Sequence, residues 1–137
     1  MNIAFWLGVP GIIKTQFDII KLGHHGLPKK AFDNLAMNMG VTRKALAEDI
    51  FDLSVKTLER KSPDDLLDKR TSSHALEIAK IMDHALDVFE DEEKVKRWIS
   101  KPNRALNNTA PVKLFDTLTG INMVNAILTR IEEGVYS

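Results

Sequence analysis

The stretch that decides the fold spans residues 42–60 and reads Thr42-Arg43-Lys44-Ala45-Leu46-Ala47-Glu48-Asp49-Ile50-Phe51-Asp52-Leu53-Ser54-Val55-Lys56-Thr57-Leu58-Glu59-Arg60. Thr42 and Ser54 each stand where a helix N-cap residue is expected, and apolar residues recur at helical steps of three and four. The small side chain of Ala47 allows two helices to cross closely. The spacing therefore predicts two short helices joined by a tight turn, the arrangement of a helix-turn-helix.

Two interpretations of this helix pair stay open on these residues alone. It is either a DNA-binding helix-turn-helix, whose second helix enters the major groove, or a plain αα-hairpin inside a helical bundle. On the first interpretation, Arg43 and Lys44 contact phosphates and the start of the second helix reaches base edges. The candidate DNA contacts are Arg43, Lys44, Ser54, Val55, Lys56, Thr57, Arg60 and Lys61.

The apolar spacing is helical outside this stretch as well, and glycine and proline separate the predicted helices. No segment alternates apolar and polar residues as a strand does, so the predicted fold class is all-α. In the N-terminal half, one helix is predicted over 15–22, capped by Thr15 and stopped by Gly23, and another over 28–39, opened by Pro28 and ended by Gly40. A long helix then starts at a cap formed by Ser72 or Ser73 and reaches Phe89, and the next starts at the acidic residues 90–93 and ends near Pro102. A short helix starts at Pro111 and is closed by Gly120, and the last one spans 121–133 and is ended by Gly134.

The predicted organisation has two packed parts. It comprises an N-terminal helical segment (1–27), a helix-turn-helix region (28–62), a charged linker (63–72) and a C-terminal helical domain (73–137). The apolar start contains Phe5, Trp6, Leu7, Ile12 and Ile13, and Pro10-Gly11 interrupts it. It has neither the cationic start of a signal peptide nor the length of a membrane helix. We therefore expect it to pack on the protein or on a second copy, in a cytosolic protein that makes no membrane contact.

The composition excludes several classes of function. The 137 residues include 19 basic and 19 acidic side chains, 44% hydrophobic residues and no cysteine. Disulfides, thiolate metal sites and cysteine catalysis are therefore excluded. His24, His25, His74 and His84 form no metal-binding array, and neither a phosphate-binding glycine loop nor a nucleophile elbow is present. The sequence predicts no cofactor, no metal site and no enzymatic activity.

Net charge is zero for the whole chain but not for its parts. Residues 28–61 hold seven basic and five acidic side chains, whereas residues 74–137 hold eight basic and ten acidic ones. The difference is +2 in the helix-turn-helix region and −2 in the C-terminal domain. A monomer with so small an excess should bind DNA weakly, so useful affinity requires a symmetric dimer.

The C-terminal domain carries a set of residues that a generic bundle does not require. Trp98 is a large anchor for the C-terminal helices, and Pro102-Asn103 forces a turn. After the last helix the chain closes with Val135-Tyr136-Ser137. This tail either inserts into a pocket of a partner or folds back onto Trp98 or Ile131, and the residues do not decide between the two.

These motifs resemble the Xre-type antitoxins of the Xre/MbcA/ParS group. The resemblance rests on three runs in the C-terminal domain and on Gly26-Leu27-Pro28 ahead of the helix-turn-helix, and it covers about residues 15–137. The matching residues are Trp98, Pro102, Asn103 and Leu106; Pro111, Leu114, Phe115, Thr117 and Gly120; and Leu128, Arg130, Ile131, Gly134, Val135 and Tyr136. Two departures are visible: Asn107-Asn108 replaces a frequent glycine pair, and Ile50-Phe51-Asp52 replaces a commoner Leu-Gly turn.

The resemblance implies a type II antitoxin whose partner is a RES-domain toxin, a family that depletes NAD. It implies that this chain covers the toxin's active site, represses its own operon through the helix-turn-helix and dimerises through its N-terminal region. NAD would be the toxin's substrate and not a cofactor of this chain. Trp98 and Gly134 are then expected to support a contact surface made by Asn103, Arg104, Val135, Tyr136 and Ser137. The alternative function is a stand-alone transcriptional regulator whose C-terminal domain senses a small molecule or only dimerises.

Overall fold

The computed structural model describes residues 2–134, and this part of the chain is helical and contains no strand, which confirms the all-α prediction. The division into two compact units falls between Lys80 and Ile81, within the longest helix. The helices are α1 Ile3–Leu7, α2 Gln16–His25, α3 Lys29–Met39, α4 Arg43–Ala45 continued by a π-helical turn Leu46–Ile50, α5 Val55–Glu59, α6 Lys69–Phe89, α7 Glu92–Ser100 and α8 Leu118–Glu132, with 3₁₀ turns at Arg104–Leu106 and Pro111–Leu114.

The apolar N-terminal segment packs within its own unit. Helix α1 lies against α3 and buries Ile3, Trp6 and Leu7. The side-chain amide of Asn38 donates to the Trp6 carbonyl oxygen at 3.1 Å and so ties the two helices together. Only part of the segment is buried, because the side chain of Ile12 remains 75% exposed. This confirms that the segment packs on the protein and leaves its proposed contact with a second copy untested.

Helix α2 starts as predicted and ends later than predicted. The Thr15 hydroxyl accepts from the Asp18 backbone N–H, and the Asp18 carboxylate accepts from the N–H of Thr15, which completes a capping box. The prediction that Gly23 stops this helix is wrong. Gly23 is buried inside it, and a Cβ at this position would lie 2.8 Å from the Ser73 hydroxyl of α6. Gly23 therefore serves the close approach of α2 to α6, and the helix ends at Gly26, whose φ is 97°.

Helix α3 buries one apolar face and ends at Gly40, as the sequence predicts. Phe32, Leu35, Ala36 and Met39 are buried on one face. Gly40 follows with a φ of 75° and donates its N–H to the Ala36 and Met37 carbonyl oxygens. Pro28 occupies the N-cap position, and its fixed backbone angle leads directly into the first turn.

The start of α6 corrects the predicted cap. Ser72 and Ser73 do not cap this helix, because it begins at Lys69 and the Asp68 carboxylate accepts from the Thr71 N–H at 2.7 Å. Ser72 is buried and has a tertiary role instead. Its hydroxyl accepts from the Leu27 N–H at 2.8 Å and lies 3.3 Å from the Leu67 carbonyl oxygen. The hydroxyl thus joins the chain segment before α3 to α6.

Replacing Asp68 with alanine is expected to destabilise the N-terminal unit by about 1 kcal/mol, the usual cost of losing an N-cap. The Thr71 hydrogen bonds lower the pKa of Asp68 below its ordinary value of 3.8. The ionised form therefore contributes stability at neutral pH, and this contribution is lost as the pH falls through 3.8 toward the lowered pKa. Urea denaturation at pH 7 and at pH 3 measures both effects. Asp49→Ala, which changes an exposed aspartate of the same unit, is the matched control, and an equal loss in that variant would contradict the capping role.

The C-terminal unit begins α7 as predicted. The Asp91 carboxylate accepts from the backbone N–H groups of Glu93 and Lys94, so this acidic segment caps the helix. The prediction that Gly120 closes a helix starting at Pro111 is wrong. Gly120 is buried in the first turn of α8, which starts at Leu118 and is capped by the Thr117 hydroxyl. Among residues 2–134, no helix combines the length and the apolar character needed to cross a membrane.

Candidate functional site

The predicted helix-turn-helix is present at residues 42–59. The Thr42 hydroxyl accepts from the Ala45 N–H at 3.0 Å, as expected of its N-cap. After the π-helical turn, Asp52 adopts a φ of 55°, and the Leu53 N–H donates to the Ala47 carbonyl oxygen at 2.8 Å. Asp is among the few residues that accept this left-handed conformation. Asp52 thus provides the left-handed residue of the turn, and the chain turns into α5.

The two helices are held by a compact apolar cluster. Leu46, Ala47, Ile50 and Leu58 are buried, and Leu53 is half-buried. Phe51, for which the sequence predicted no partner, links the turn to the rest of the unit. Its ring centroid lies 5.1 Å from that of Phe32 and 4.4 Å from that of His74. The turn is therefore fixed to both α3 and α6, which holds α5 in a defined position.

The candidate DNA contacts lie on the outside of this cluster. On α5 and its C-cap, Lys56 and Arg60 are exposed on the face opposite the buried Leu58, as helical periodicity requires, and Thr57 is exposed at the side of the helix. Val55 and Lys61 are half-buried, whereas Ser54 and Lys44 are exposed. Arg43 has 53% of its side chain exposed, and its guanidinium lies 3.8 Å from an Asp33 carboxylate oxygen of α3.

The start of α5 differs from the sequence prediction in one respect. Ser54 occupies the N-cap position, but its side chain makes no capping hydrogen bond. The Glu48 carboxylate, from the preceding helix, accepts from the Val55 N–H at 3.4 Å. A negative charge near the positive end of a helix is favourable. Glu48 therefore joins the two helices, and the exposed Ser54 hydroxyl is not used in capping.

The second candidate site is a rigid loop in the C-terminal unit. The Asn103 side-chain oxygen accepts from the Ala105 N–H at 2.9 Å, and the Asn103 N–H donates to the Thr109 carbonyl oxygen at 3.1 Å. Asn107 and Asn108 have φ values of 60° and 61°, which confirms that asparagine supports the turn where the family often has glycine. Leu106 is buried beneath the loop, and Arg104 is exposed at its edge. The loop thus presents Arg104 from a fixed backbone.

The two residues expected to support this surface, Trp98 and Gly134, both lie within the described part of the chain. The half-buried Trp98 of α7 contacts Phe89 of α6, with ring centroids 5.3 Å apart. Gly134 follows α8 with a φ of 72°, and its N–H donates to the Ile131 carbonyl oxygen. The other three predicted contacts, Val135, Tyr136 and Ser137, lie outside the described residues 2–134.

The structure also assembles a polar cluster that the sequence did not reveal. His84 of α6 has its Nδ1 atom 2.6 Å from the Asn125 side-chain oxygen and its Nε2 atom 3.4 Å from the Glu132 carboxylate. These partners lie more than 40 residues further along the chain, so no local pattern signals them. Within residues 2–134 no group of three or more histidine, aspartate or glutamate side chains is arranged to hold a metal.

Comparison with known proteins gives matches to both sites. Residues 84–134 match the antitoxin Xre/MbcA/ParS C-terminal toxin-binding domain, and residues 18–80 match the antitoxin Xre-like helix-turn-helix domain. A protein named Antitoxin Xre from Photorhabdus laumondii subsp. laumondii is 34% identical over 67 residues, covering 48% of this chain and 45% of that protein. A second Antitoxin Xre, from Yersinia enterocolitica, is 32% identical over 79 residues, covering 57% of this chain and 53% of that protein. The chain thus spans about half the length of these relatives.

Proposed function

The chain belongs to the Xre-type antitoxin family, and on that premise we propose that it neutralises a RES-domain toxin and represses its own operon. The observation that carries the proposal is the order of the two matched domains. A helix-turn-helix domain at 18–80 precedes a toxin-binding domain at 84–134, so one chain combines the means to bind DNA and the means to bind a toxin. The protein then acts by binding alone, in the cytoplasm, without catalysis or cofactor.

The proposed inhibitory mechanism is steric. The loop at 103–109 is held by its own hydrogen bonds, so Arg104 and its neighbours need little reorganisation on binding. Such a preformed surface, together with the tail at 135–137, would occupy the toxin's substrate cleft and keep NAD, the toxin's substrate, out. A stable complex of this kind buries a large area that is centred on a few aromatic or arginine side chains.

Homodimerisation is a further part of the proposal. Exposed apolar side chains surround the start of α2: Ile12 is 75%, Phe17 is 72% and Ile20 is 50% exposed. A second copy that covered them would remove this apolar area from water. It would also place two helix-turn-helix units on one operator, which compensates for the small positive excess of residues 28–61.

Deleting Val135, Tyr136 and Ser137 is expected to weaken toxin neutralisation at least 10-fold, because loss of a tyrosine hot spot costs an interface about 2 kcal/mol or more. Growth during co-expression and inhibition of NAD consumption by purified toxin measure the effect. The full-length Tyr136→Phe variant is the control, since it keeps the chain length and the ring. Thermal unfolding should be unchanged by the deletion. Full neutralisation by the shortened chain would refute the tail's role.

A stand-alone regulator is the second candidate function. A cleft beside α5 favours a form of it in which the ligand binds in the N-terminal unit and not in the C-terminal domain. The cleft has a volume of about 500 Å³ and lies between α5 and the segment before α6. Its lining residues are Asp52, Leu53, Ser54, Thr57, Leu58, Lys61, Leu66, Leu67, Asp68 and Thr71. A ligand bound there would contact the DNA-binding helix directly.

One experiment decides between the two functions. The chain is expressed together with the product of the neighbouring gene, and growth, complex formation and NAD content are measured. Rescue of growth by a stable complex with an NAD-consuming RES-domain protein supports the antitoxin. A neighbouring product that is harmless alone and forms no complex would favour the regulator.

A further inference from the structure

The C-terminal unit contains a separation of charge that its net charge conceals. Residues 90–93 are all acidic, whereas residues 94–115 contain six basic side chains and no acidic one. The basic residues are Lys94, Lys96, Arg97, Lys101, Arg104 and Lys113. All except Lys96 are exposed, and Lys96 is half-buried with its ammonium 3.5 Å from the Glu93 carboxylate. The negative total for residues 74–137 therefore includes a strongly cationic surface.

Three of these cations share one face of α7 and its C-cap. Lys94, Arg97 and Lys101 follow one another at steps of three and four residues, which places them one above the other. The core side of the same helix is formed by Val95 and Ile99, which are fully buried. We call the exposed trio the basic face. Its side chains point away from the core of their own unit.

The stability of α7 accounts for Arg97, in its last turn, and for Lys101, at its C-cap, but not for Lys94. Cations stabilise a helix when they lie near its C-terminal end and destabilise it when they lie near its N-terminal end. Lys94 lies in the first turn, where its N–H donates to the Asp91 cap, so its charge is on the unfavourable end. Within residues 2–134, the trio forms no ion pair that would offset this cost. Exposed charges without an intramolecular partner are available to an external one.

The position of the basic face suggests which partner that is. The face lies wholly inside residues 84–134, which match a toxin-binding domain. It also adjoins the rigid loop, where Asn103 fixes the backbone and Arg104 extends the same positive charge. The half-buried Trp98 lies on the same helix and offers an aromatic anchor beside the charges. Charged rims around such anchors are a common arrangement of protein–protein interfaces.

We propose that the basic face is an electrostatic docking surface for an acidic patch on the toxin. This proposal rests on the proposed function and adds the chemistry of the partner's surface. Complementary charges accelerate encounter and fix the orientation of two proteins. The basic face then guides the toxin toward the Asn103–Arg104 loop, which makes the close contacts.

The test is a charge reversal, Lys94→Glu with Arg97→Glu and Lys101→Glu, in the full chain. The toxin probe is the purified RES-domain product of the neighbouring gene. We expect binding to weaken about 10- to 100-fold at low salt, mainly through slower association, and the difference should shrink as salt screens the charges. The matched control is Lys14→Glu with Lys21→Glu and Lys69→Glu, which alters three exposed lysines of the other unit by the same total charge.

The variant with glutamine at the same three positions removes the charges without reversing them and so controls for misfolding caused by the reversal. We expect it to bind the toxin about 3- to 10-fold more weakly than the unmodified chain. Toxin binding by the reversed variant equal to that of the control would overturn the proposal. Loss of binding to promoter DNA with toxin binding intact would overturn it as well, because the partner would then be nucleic acid. Failure of the unmodified chain to bind the toxin would overturn the proposed function itself and this inference with it.

Discussion

Replacing Gly120 with alanine is expected to lower the free energy of unfolding of the C-terminal unit by at least about 3 kcal/mol. Inside an unstrained helix the same change stabilises by about 1 kcal/mol, because alanine has the higher helix propensity. Here a Cβ would collide with the backbone carbonyl oxygen of Leu114 and lie 2.9 Å from the Leu114 Cβ. A backbone atom cannot rotate aside as a flexible side chain can, so the 3₁₀ turn at Pro111–Leu114 would be pushed off α8.

Urea denaturation measures the loss, and hydrogen exchange locates it. We expect amide protection to fall in α7 and α8 while α3, in the other unit, keeps its protection. Thr119→Ala is the matched control, since it changes the exposed neighbouring position in the same helical turn. Toxin neutralisation should fail in parallel with the loss of protection. A Gly120→Ala variant as stable as the control would mean that α8 and the 3₁₀ turn do not pack this closely.

The two glycines that were assigned wrongly show where sequence reasoning ends. At Gly40 the glycine follows an apolar stripe and adopts a positive φ, so reading it as a helix end is correct. Gly23 and Gly120 stand at equally plausible ends but lie inside helices. Glycine is needed at these two positions because Ser73 approaches Gly23 closely and Leu114 approaches Gly120 closely. Sequence spacing reports the local backbone requirement of a glycine and does not report which distant atom approaches it.

The capping side chains likewise divide into those set by local sequence, which are predicted correctly, and those set by tertiary contacts, which are not. The caps at Thr15 and Thr42 are local, because each hydroxyl accepts from an N–H three residues ahead, and the sequence predicts both. Ser72 looks like an equally good cap in the sequence, but its hydroxyl accepts a hydrogen bond from the Leu27 N–H, 45 residues away. Asp68 then provides the cap of α6. Ser72 thus makes a tertiary hydrogen bond in place of the local capping bond that was predicted, and no local sequence pattern indicates this.

The candidate sites were predictable to different degrees. The exposed side of α5 follows directly from helical periodicity once Leu58 is placed in the core. The asparagine pair at 107–108 follows from the known tolerance of asparagine for positive φ. The basic face is invisible in the total charge of residues 74–137, because the acidic start of α7 offsets it. Charge has to be counted by helix face, since a partner meets a face and not a segment.

Replacing both Lys56 and Arg60 with alanine is expected to weaken binding to promoter DNA at least 100-fold and to leave toxin binding unchanged. The two residues are one helical turn apart on the exposed side of α5 and its C-cap. A specific hydrogen-bonded pairing with a base is worth about 1–3 kcal/mol. Each phosphate that is no longer neutralised reduces the slope of log K against log salt concentration by about 0.9. In a dimer the double replacement removes four positive side chains, so the weakening is expected to be large.

Fluorescence anisotropy with the promoter fragment of the chain's own gene, at several salt concentrations, measures affinity and salt dependence together. The matched control is Lys69→Ala with Arg70→Ala, which removes the same two residue types from exposed positions at the start of α6. A weakening confined to the Lys56 and Arg60 variant assigns recognition to α5, because both variants remove the same charge. Equal weakening in the two variants would mean that DNA binding depends on the total positive charge and not on the positions of Lys56 and Arg60. Unimpaired DNA binding by the Lys56 and Arg60 variant would leave the plain αα-hairpin as the better interpretation of residues 42–60.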